Sequence, residues 1–282
     1  MNDALKLILL FFLVIILIFC SSIVLGIMYG IPSGNVAVIT IDSEIVSMTD
    51  YLSGGQTSDS IIESLINAEN NPNVEAIVLS INSGGGMSVA SKEIANQVLN
   101  SSKPVIAWIR ELGASGAYMI ASASDYVICD NLSIIGSIGA SMSYLEFSGT
   151  LAKYGAEYNQ LVSGDMKDMG SMYRNMTSEE QEIFMTLIND SFNYFLSFVV
   201  QHRNLTNNAI NVISDGRIVS GKQGFELGLV DELGSKQEVN DYLRNALNIT
   251  AVTYEDYTNT NLLSEFSSLI SYKFSSVFPT YN

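Results

Sequence analysis

Strands and helices alternate in the first half of this chain, and that order limits the folds it can adopt. Three apolar runs have the β-branched composition of buried strands, at residues 35–41, 74–81 and 104–109. Amphipathic stretches with helical spacing separate them, over 58–70 and 87–100. Successive strands joined through helices are typical of a layered α/β domain with right-handed crossovers. The predicted fold class is therefore α/β.

The second half contains less regular elements. YVIC is a predicted strand, a helix is expected over 143–155, and AEYNQLVS (156–163) has the pattern of another strand. TSEEQ opens a long predicted helix with a capping box, and a last helix is predicted over 236–247. The sequence contains no internal repeat and no low-complexity linker. One folded domain over residues 31–250 is the simplest interpretation.

The amino-terminal run from Leu7 to Met28 contains no charged residue. Its length matches the roughly 20 residues that cross a hydrocarbon layer, so residues 1–30 are predicted to be a transmembrane anchor. A cleaved signal peptide is the alternative, although its apolar region would be shorter. Lys6 precedes the run and the next cation is Lys92, so the positive-inside rule predicts a body on the extracytoplasmic side. The expected protein is a single-pass protein of the cell membrane.

Residues 251–282 are predicted to form an amphipathic tail. Its apolar residues recur at helical spacing, at Leu263, Phe266, Ile270, Phe274 and Val277. An exposed apolar face of this kind needs to be covered, either by its own subunit or by a neighbouring copy.

The chain is strongly acidic, with 29 acidic and 13 basic residues and a formal net charge of −16. A nucleic-acid partner is not expected, because phosphate binding requires a clustered basic surface. Cys20 lies in the apolar run and Cys129 in a predicted strand, so the two are not expected to meet. The sequence thus predicts neither a disulfide framework nor a cysteine metal cluster.

Two strand-to-helix junctions are built from small residues. In NSGGG (82–86) the glycines leave backbone N–H groups open toward a phosphate or a developing oxyanion. In GASGAYMIAS (113–122) Ser115 lies where a helix begins. Each junction alone also fits an ordinary structure, a tight turn in the first and a helix N-cap in the second. The two junctions lie one crossover apart, which favours a nucleophile that converges with oxyanion donors.

The base that would activate Ser115 has two possible sources. His202, the only histidine, lies near the end of the long predicted helix, where a cation suits the helix dipole, and we interpret it as structural. The other source is a lysine in its neutral form, which requires burial. Lys167 differs from the other lysines because it lies in a Gly- and Met-rich connection. A solvated loop lysine balanced by Asp165 and Asp168 is the alternative interpretation.

A set of motifs follows in a fixed order: INSGGG, ASGAYMIAS with DYVIC, GSIGAS, VSGDMKDMGS followed by Arg and Met-Thr-x-Glu-Glu, and GRIVSGKQGFELGLVDELGS. Over about residues 35–247 this set resembles the signal peptide peptidase A family. The ordered set is far more specific than any single member. The resemblance implies a membrane-anchored serine protease of the crotonase and Clp protease-like fold that uses a Ser-Lys dyad.

The resemblance also implies roles for individual residues, matched by position. Ser115 of A-S-G would be the nucleophile, and Lys167 of S-G-x-x-K-D the general base. Ser137 of G-S-I-G would orient the lysine. Gly85 and Gly116 would donate the N–H groups of the oxyanion hole, with the position in the glycine triplet open by one residue. This chemistry needs no metal and no cofactor.

The function implied by the resemblance is cleavage of remnant signal peptides or other membrane-proximal apolar peptides by a ring-like homo-oligomer. Two other functions stay open. The same fold hosts acyl-CoA enzymes that have no serine nucleophile. A catalytically silent, membrane-tethered binding or scaffold protein is the other, since Ser83 and Ala117 depart from the family pattern.

Overall fold

The computed structural model describes residues 12–18, 21, 34–47 and 55–258 of this chain. Residues 12–18 are helical. Most of the predicted anchor lies outside the described residues. The predicted apolar face of the tail, from Leu263 to Val277, also lies outside them.

A mostly parallel sheet forms the centre of the domain. The strands among the described residues are β1 (Val36–Ile41), β2 (Ile45–Val46), β3 (Gln56–Thr57), β4 (Ala76–Ser83), β5 (Val105–Ala114), β6 (Tyr126–Cys129), β7 (Ile134–Gly136), β8 (Ile218–Ser220), β9 (Glu232–Leu233) and β10 (Tyr254–Asp256). The spatial order is β10-β1-β4-β5-β6-β9, and β7 pairs with both β5 and β8. Only the pairing of β7 with β8 is antiparallel in this sheet. Strands β2 and β3 form a separate parallel pair.

Helices connect these strands and cover both faces of the sheet. Those described are α1 (Ser58–Asn70), α2 (Ser88–Leu99), α3 (Gly116–Ser122), α4 (Ser148–Lys153), α5 (Ser178–Arg203), α6 (Asn207–Ile213), α7 (Gly221–Leu227) and α8 (Lys236–Asn245). A short 3₁₀ helix spans Asp165–Asp168. The α/β class predicted from the sequence is confirmed.

Alternate residues of the strands enter two separate cores, as the two-residue period of a strand requires. Ala37 and Ile39 of β1 pack in the larger core with α1, α2 and α3. Val36 of the same strand faces the smaller core, where Val239 and Leu243 of α8 cover the sheet. The sheet is therefore buried on both faces, which is typical of parallel sheets.

Helix α5 is long and apolar enough to cross a membrane by length and composition. Its Phe195, Phe198 and Val199 are buried, however, and Phe195 and Val199 belong to the larger core of the domain. The capping box at its start, formed by Thr177 and Glu180, is present as the sequence predicts. We therefore describe α5 as a helix of the folded domain.

The segment between Gly139 and Arg174 differs most from expectation. Residues 156–163 form no strand, so that prediction is wrong, and the helix expected over 143–155 is limited to Ser148–Lys153. A strand requires a neighbour for its backbone groups, and residues 156–163 are exposed instead. At the other end, β10 pairs with β1, so the sheet continues past the boundary at residue 250.

Candidate active site

Ser115 occupies the turn between β5 and α3. It is the N-cap of α3, with φ of 53° and ψ of −128°, a conformation that residues other than glycine rarely adopt. Its N–H donates to the Gly136 carbonyl at 2.8 Å, and its own carbonyl accepts from the Tyr118 N–H at 2.9 Å. These bonds hold the strained turn from both sides. A serine on a strained strand-to-helix turn has the arrangement of a nucleophile elbow, in which the hydroxyl is accessible.

The glycine triplet packs directly against this turn. Gly85 has φ of 96°, and a Cβ atom there would lie 2.5 Å from the nitrogen of Gly116 and 2.9 Å from the Cβ of Ser115. A Cβ atom on Gly86 would overlap the carbonyl oxygen of Ile45. Glycine is required at both positions because the backbones approach so closely. The two small-residue junctions therefore meet in one place.

The amides of the triplet are used differently. The Gly85 N–H donates to the hydroxyl of Ser83 at 3.1 Å, and that buried hydroxyl donates to the Ser43 carbonyl at 2.6 Å. Within the described part of the chain, the Gly86 N–H has no hydrogen-bond partner. The Gly116 N–H, at the first position of α3, likewise has none there. Among the described residues, Gly86 and Gly116 thus each offer a free N–H group beside Ser115.

Two cavities open beside Ser115, and Gly86 lines both of them. The first has a volume of about 240 Å³ and a mostly apolar wall that includes Val89, Met119 and Phe195. The second has a volume of about 460 Å³ and is more polar. Ser115 is therefore open to a mostly apolar space and to a more polar one.

Ser137 lines the second cavity together with Ser115. Its φ is also 53°, and its N–H donates to the carbonyl of Arg217 at 2.8 Å. The antiparallel pairing of β7 with β8 thus continues to Ser137. A polar side chain on a strained backbone at a cavity is a feature of functional sites.

Lys167 stands apart from this group. It lies in the 3₁₀ helix Asp165–Asp168, its side chain is exposed, and it lines neither cavity. His202 also lines neither cavity, and its ring packs on Phe198 at a centroid distance of 4.5 Å. The structure therefore brings together Ser115, Ser137 and the two glycine junctions but does not bring Lys167 to them.

The structure adds residues that sequence reasoning missed. The Ser91 hydroxyl is buried beside Gly116 and has no partner among the described residues. Lys92, Asp190 and Tyr194 line the apolar cavity. The sequence signal was the helical spacing of the residues of α5, which gives Asp190 and Tyr194 the same face.

Similarity to known proteins agrees with this geometry. The sequence profile of peptidase family S49 matches residues 97–250. A candidate protease of Methanocaldococcus jannaschii is 35% identical over 198 residues, which are 70% of this chain and 64% of that protein. A candidate signal peptide peptidase SppA of Enterococcus faecium is 33% identical over 189 residues, 66% of this chain and 55% of that protein. The chain thus spans less than two thirds of the length of these relatives.

One solved structure shows the same fold. It is a lysine-to-alanine mutant of the 1510-N membrane-bound stomatin-specific protease in complex with a substrate peptide. The alignment covers 84% of this chain and 98% of the other, with a TM-score of 0.51 and 17% identity. The profile match spans more than half of the chain, over the segment that contains Ser115, Ser137 and Lys167. The chain therefore belongs to peptidase family S49.

Proposed function

We propose that this protein is a membrane-anchored serine endopeptidase that cleaves remnant signal peptides or other membrane-proximal apolar peptides. The observation that carries the proposal is the strained Ser115 turn, packed against the glycine turn and open to an apolar cavity. A predicted anchor over residues 1–30 would keep such a site close to membrane-borne substrates and raise their effective concentration. An extracytoplasmic domain in a homo-oligomer is part of the same proposal.

In the proposed mechanism Ser115 is the nucleophile and Lys167 the general base. The neutral lysine accepts the hydroxyl proton as the serine oxygen attacks the peptide carbonyl, and the resulting ammonium protonates the leaving amine. Ser137 accepts a hydrogen bond from the lysine and orients it. Water then attacks the carbonyl of the acyl-enzyme while the neutral lysine accepts its proton. The ammonium returns a proton to the Ser115 oxygen as that oxygen leaves, which regenerates the enzyme.

The proposed oxyanion donors are the N–H groups of Gly86 and Gly116. Gly85 was the expected donor, but its N–H is engaged by the Ser83 hydroxyl. Gly86 lines both cavities and keeps its N–H free of partners in the described residues. Removing a single donor from such a site typically lowers kcat by about 10²- to 10³-fold.

The dyad needs either a second arrangement of residues 141–173 or a second copy of the chain. In the described conformation Lys167 is exposed and lines neither cavity. It therefore reaches a serine only after this segment moves or when a second copy supplies its Lys167. The same exposure is the observation that favours the second candidate function, a silent scaffold with an unactivated Ser115.

Labelling by a fluorophosphonate probe separates the two functions, because only an activated serine reacts. We expect full-length protein in detergent to be labelled and to hydrolyse an apolar peptide. Ser115→Ala and Lys167→Ala should each abolish hydrolysis, since the dyad acts as a unit. Lys153→Ala, which removes another lysine of the same segment, is the matched control and should retain activity. Wild-type protein that is neither labelled nor active would instead identify a scaffold.

A further inference from the structure

Residues 141–173 have few anchors to the rest of the domain. No side chain of this segment is buried, although it carries Lys167. The backbone N–H of Phe147 donates to the carbonyl of Met172 at 2.7 Å, which closes the segment on itself. The contacts near its carboxyl end are those that involve Asp168, the residue beside Lys167.

Arg174 makes the principal polar contacts there. Its Nε donates to the Asp168 carboxylate at 3.0 Å, and its Nη2 donates to the Asp168 backbone carbonyl at 2.9 Å. The same guanidinium donates to both carboxylate oxygens of Glu180, at 2.9 and 2.5 Å. Arg174 thus bridges the residue that follows Lys167 and the first turn of α5.

The Glu180 side of this bridge is firmly built. Glu180 is 1% exposed, and its carboxylate also accepts from the Thr177 N–H at 2.8 Å. The hydrogen bonds from Arg174 lower the pKa of Glu180 to about 2, so the carboxylate is ionised at neutral pH. Bidentate arginine–carboxylate pairs of this kind fix geometry as well as charge.

The Asp168 side is not needed for the helix itself. Thr177 and Glu180 already complete the capping box of α5. The bond from Arg174 to the Asp168 carbonyl fixes the main chain directly beside Lys167, and the Tyr158 hydroxyl donates to the Asp168 carboxylate at 3.0 Å. These contacts are therefore explained by the position of the segment rather than by the end of the helix.

We propose that Arg174 is a positioning residue for Lys167, holding the main chain beside the base at a fixed place relative to α5. The proposal rests on the proposed function, in the arrangement in which Lys167 serves the Ser115 of a second copy and the contacts of Arg174 are kept. Helix α5 also supplies Asp190, Tyr194 and Phe195 to the cavity beside Ser115. Arg174 therefore fixes the base relative to α5 of its own copy, a helix that belongs to the folded domain.

A double-mutant cycle with Lys167 tests the role of Arg174. Hydrolysis of an activated p-nitrophenyl ester by the full-length protein is measured so that the residual rate without Lys167 stays detectable. Arg174→Gln should lower kcat by about 100-fold with little change in KM, because a misplacement of about 1 Å has that effect on a catalytic group. Arg174→Lys should recover part of the loss. In the Lys167→Ala background, Arg174→Gln should cause no further loss.

Arg203→Gln is the matched control. Arg203 forms the other bidentate pair of α5, donating to Asp231 at 2.7 and 2.9 Å, far along the helix from Lys167. Arg203→Gln should lower Tm. Any change that it causes in kcat should be the same in the wild-type and Lys167→Ala backgrounds. If Arg174→Gln does not fold, Asp168→Asn is used instead, because it keeps the Arg174–Glu180 pair. This variant should also lower kcat.

Several outcomes overturn the positioning role. The first is a wild-type kcat in Arg174→Gln, or in Asp168→Asn if Arg174→Gln does not fold. The second is an increase in kcat. The third is the same fold loss from Arg174→Gln with and without Lys167. An increase would mean that the contacts hold the lysine away from the site. Full activity of Lys167→Ala would instead contradict the proposed function itself, so the two failures are distinguishable.

Discussion

The backbone N–H of Ser115 donates a 2.8 Å hydrogen bond to the carbonyl of Gly136, the residue that precedes Ser137. Both serines have φ of 53°, and both line the same cavity. The pairing of β5 with β7 therefore brings two strained serines side by side. Neither position depends on where Lys167 lies.

The glycine triplet offers a graded test of the Ser115 turn. Gly85→Ala should lower kcat by about 100-fold or more, because a Cβ atom 2.5 Å from the Gly116 nitrogen displaces the Ser115 turn. Gly84→Ala is the control, since its Cβ would meet only the Leu112 side chain at 3.7 Å. Peptide hydrolysis and Tm are measured for both. Equal activity in the two variants would contradict the packing described for Gly85.

The Ser83 hydroxyl is expected to stabilise the glycine turn. Ser83→Ala leaves the buried Gly85 N–H without its acceptor, which should lower the free energy of unfolding by about 1–3 kcal/mol. Urea unfolding monitored by circular dichroism measures the change. Ser214→Ala removes an exposed local hydrogen bond and should stay within about 0.5 kcal/mol of wild type. A similar small change in Ser83→Ala would mean that the Gly85 N–H finds another acceptor.

The Arg174–Glu180 contact predicts the acid stability of the protein. Because the folded-state pKa of Glu180 is lowered to about 2, its stabilising contribution is complete above the unfolded-state value of ~4.3. That contribution is lost as the pH falls from there through about 2. Wild type should therefore exceed Glu180→Gln in Tm at pH 7, and the difference should shrink over this interval. A difference that stays constant down to pH 2 would exclude an ionised Glu180 as its source.

The pH dependence of hydrolysis distinguishes the two candidate bases. A lysine accepts a proton only in its neutral form, so the rate should rise from neutral toward alkaline pH. His202→Gln should have the same profile, because the His202 ring packs on Phe198 away from both cavities. A rise in rate that is lost in His202→Gln would transfer the role of base to the histidine.

Local patterns in the sequence were sufficient where packing follows the chain itself. The helix predicted over 58–70 has those bounds in the structure, with a Thr57 side chain that caps it. Its Ile61 and Leu65 are buried as the helical spacing predicts, whereas Ile66 at the edge of the same face is 40% exposed. How far burial extends around a helix depends on how much of it the neighbouring element covers. The spacing of apolar residues in the sequence does not give that extent.

Long-range relations were less accessible from the sequence. Residues 156–163 were predicted as a strand from their pattern, but they pair with no strand in the described part of the chain, so the pattern alone predicted the wrong element. The motif predicts Lys167 as the base, yet its distance from Ser115 depends on how residues 141–173 are anchored. The Gly85 N–H is a similar case. It donates to the Ser83 hydroxyl, and the turn motif does not predict the direction in which that hydroxyl points.

Among the described strands, β10 lies at the edge of the sheet, beside β1. Val36 of β1 donates its N–H to the Thr253 carbonyl at 3.0 Å, and the strand that follows pairs with β1 through Asp256. Without it, the unpaired backbone groups of β1 would be a template for another chain. β10 is only three residues long and carries Glu255 and Asp256, so charge repulsion disfavours stacking of one domain on the next. A short acidic strand thus disfavours edge-to-edge pairing of this sheet with a second copy.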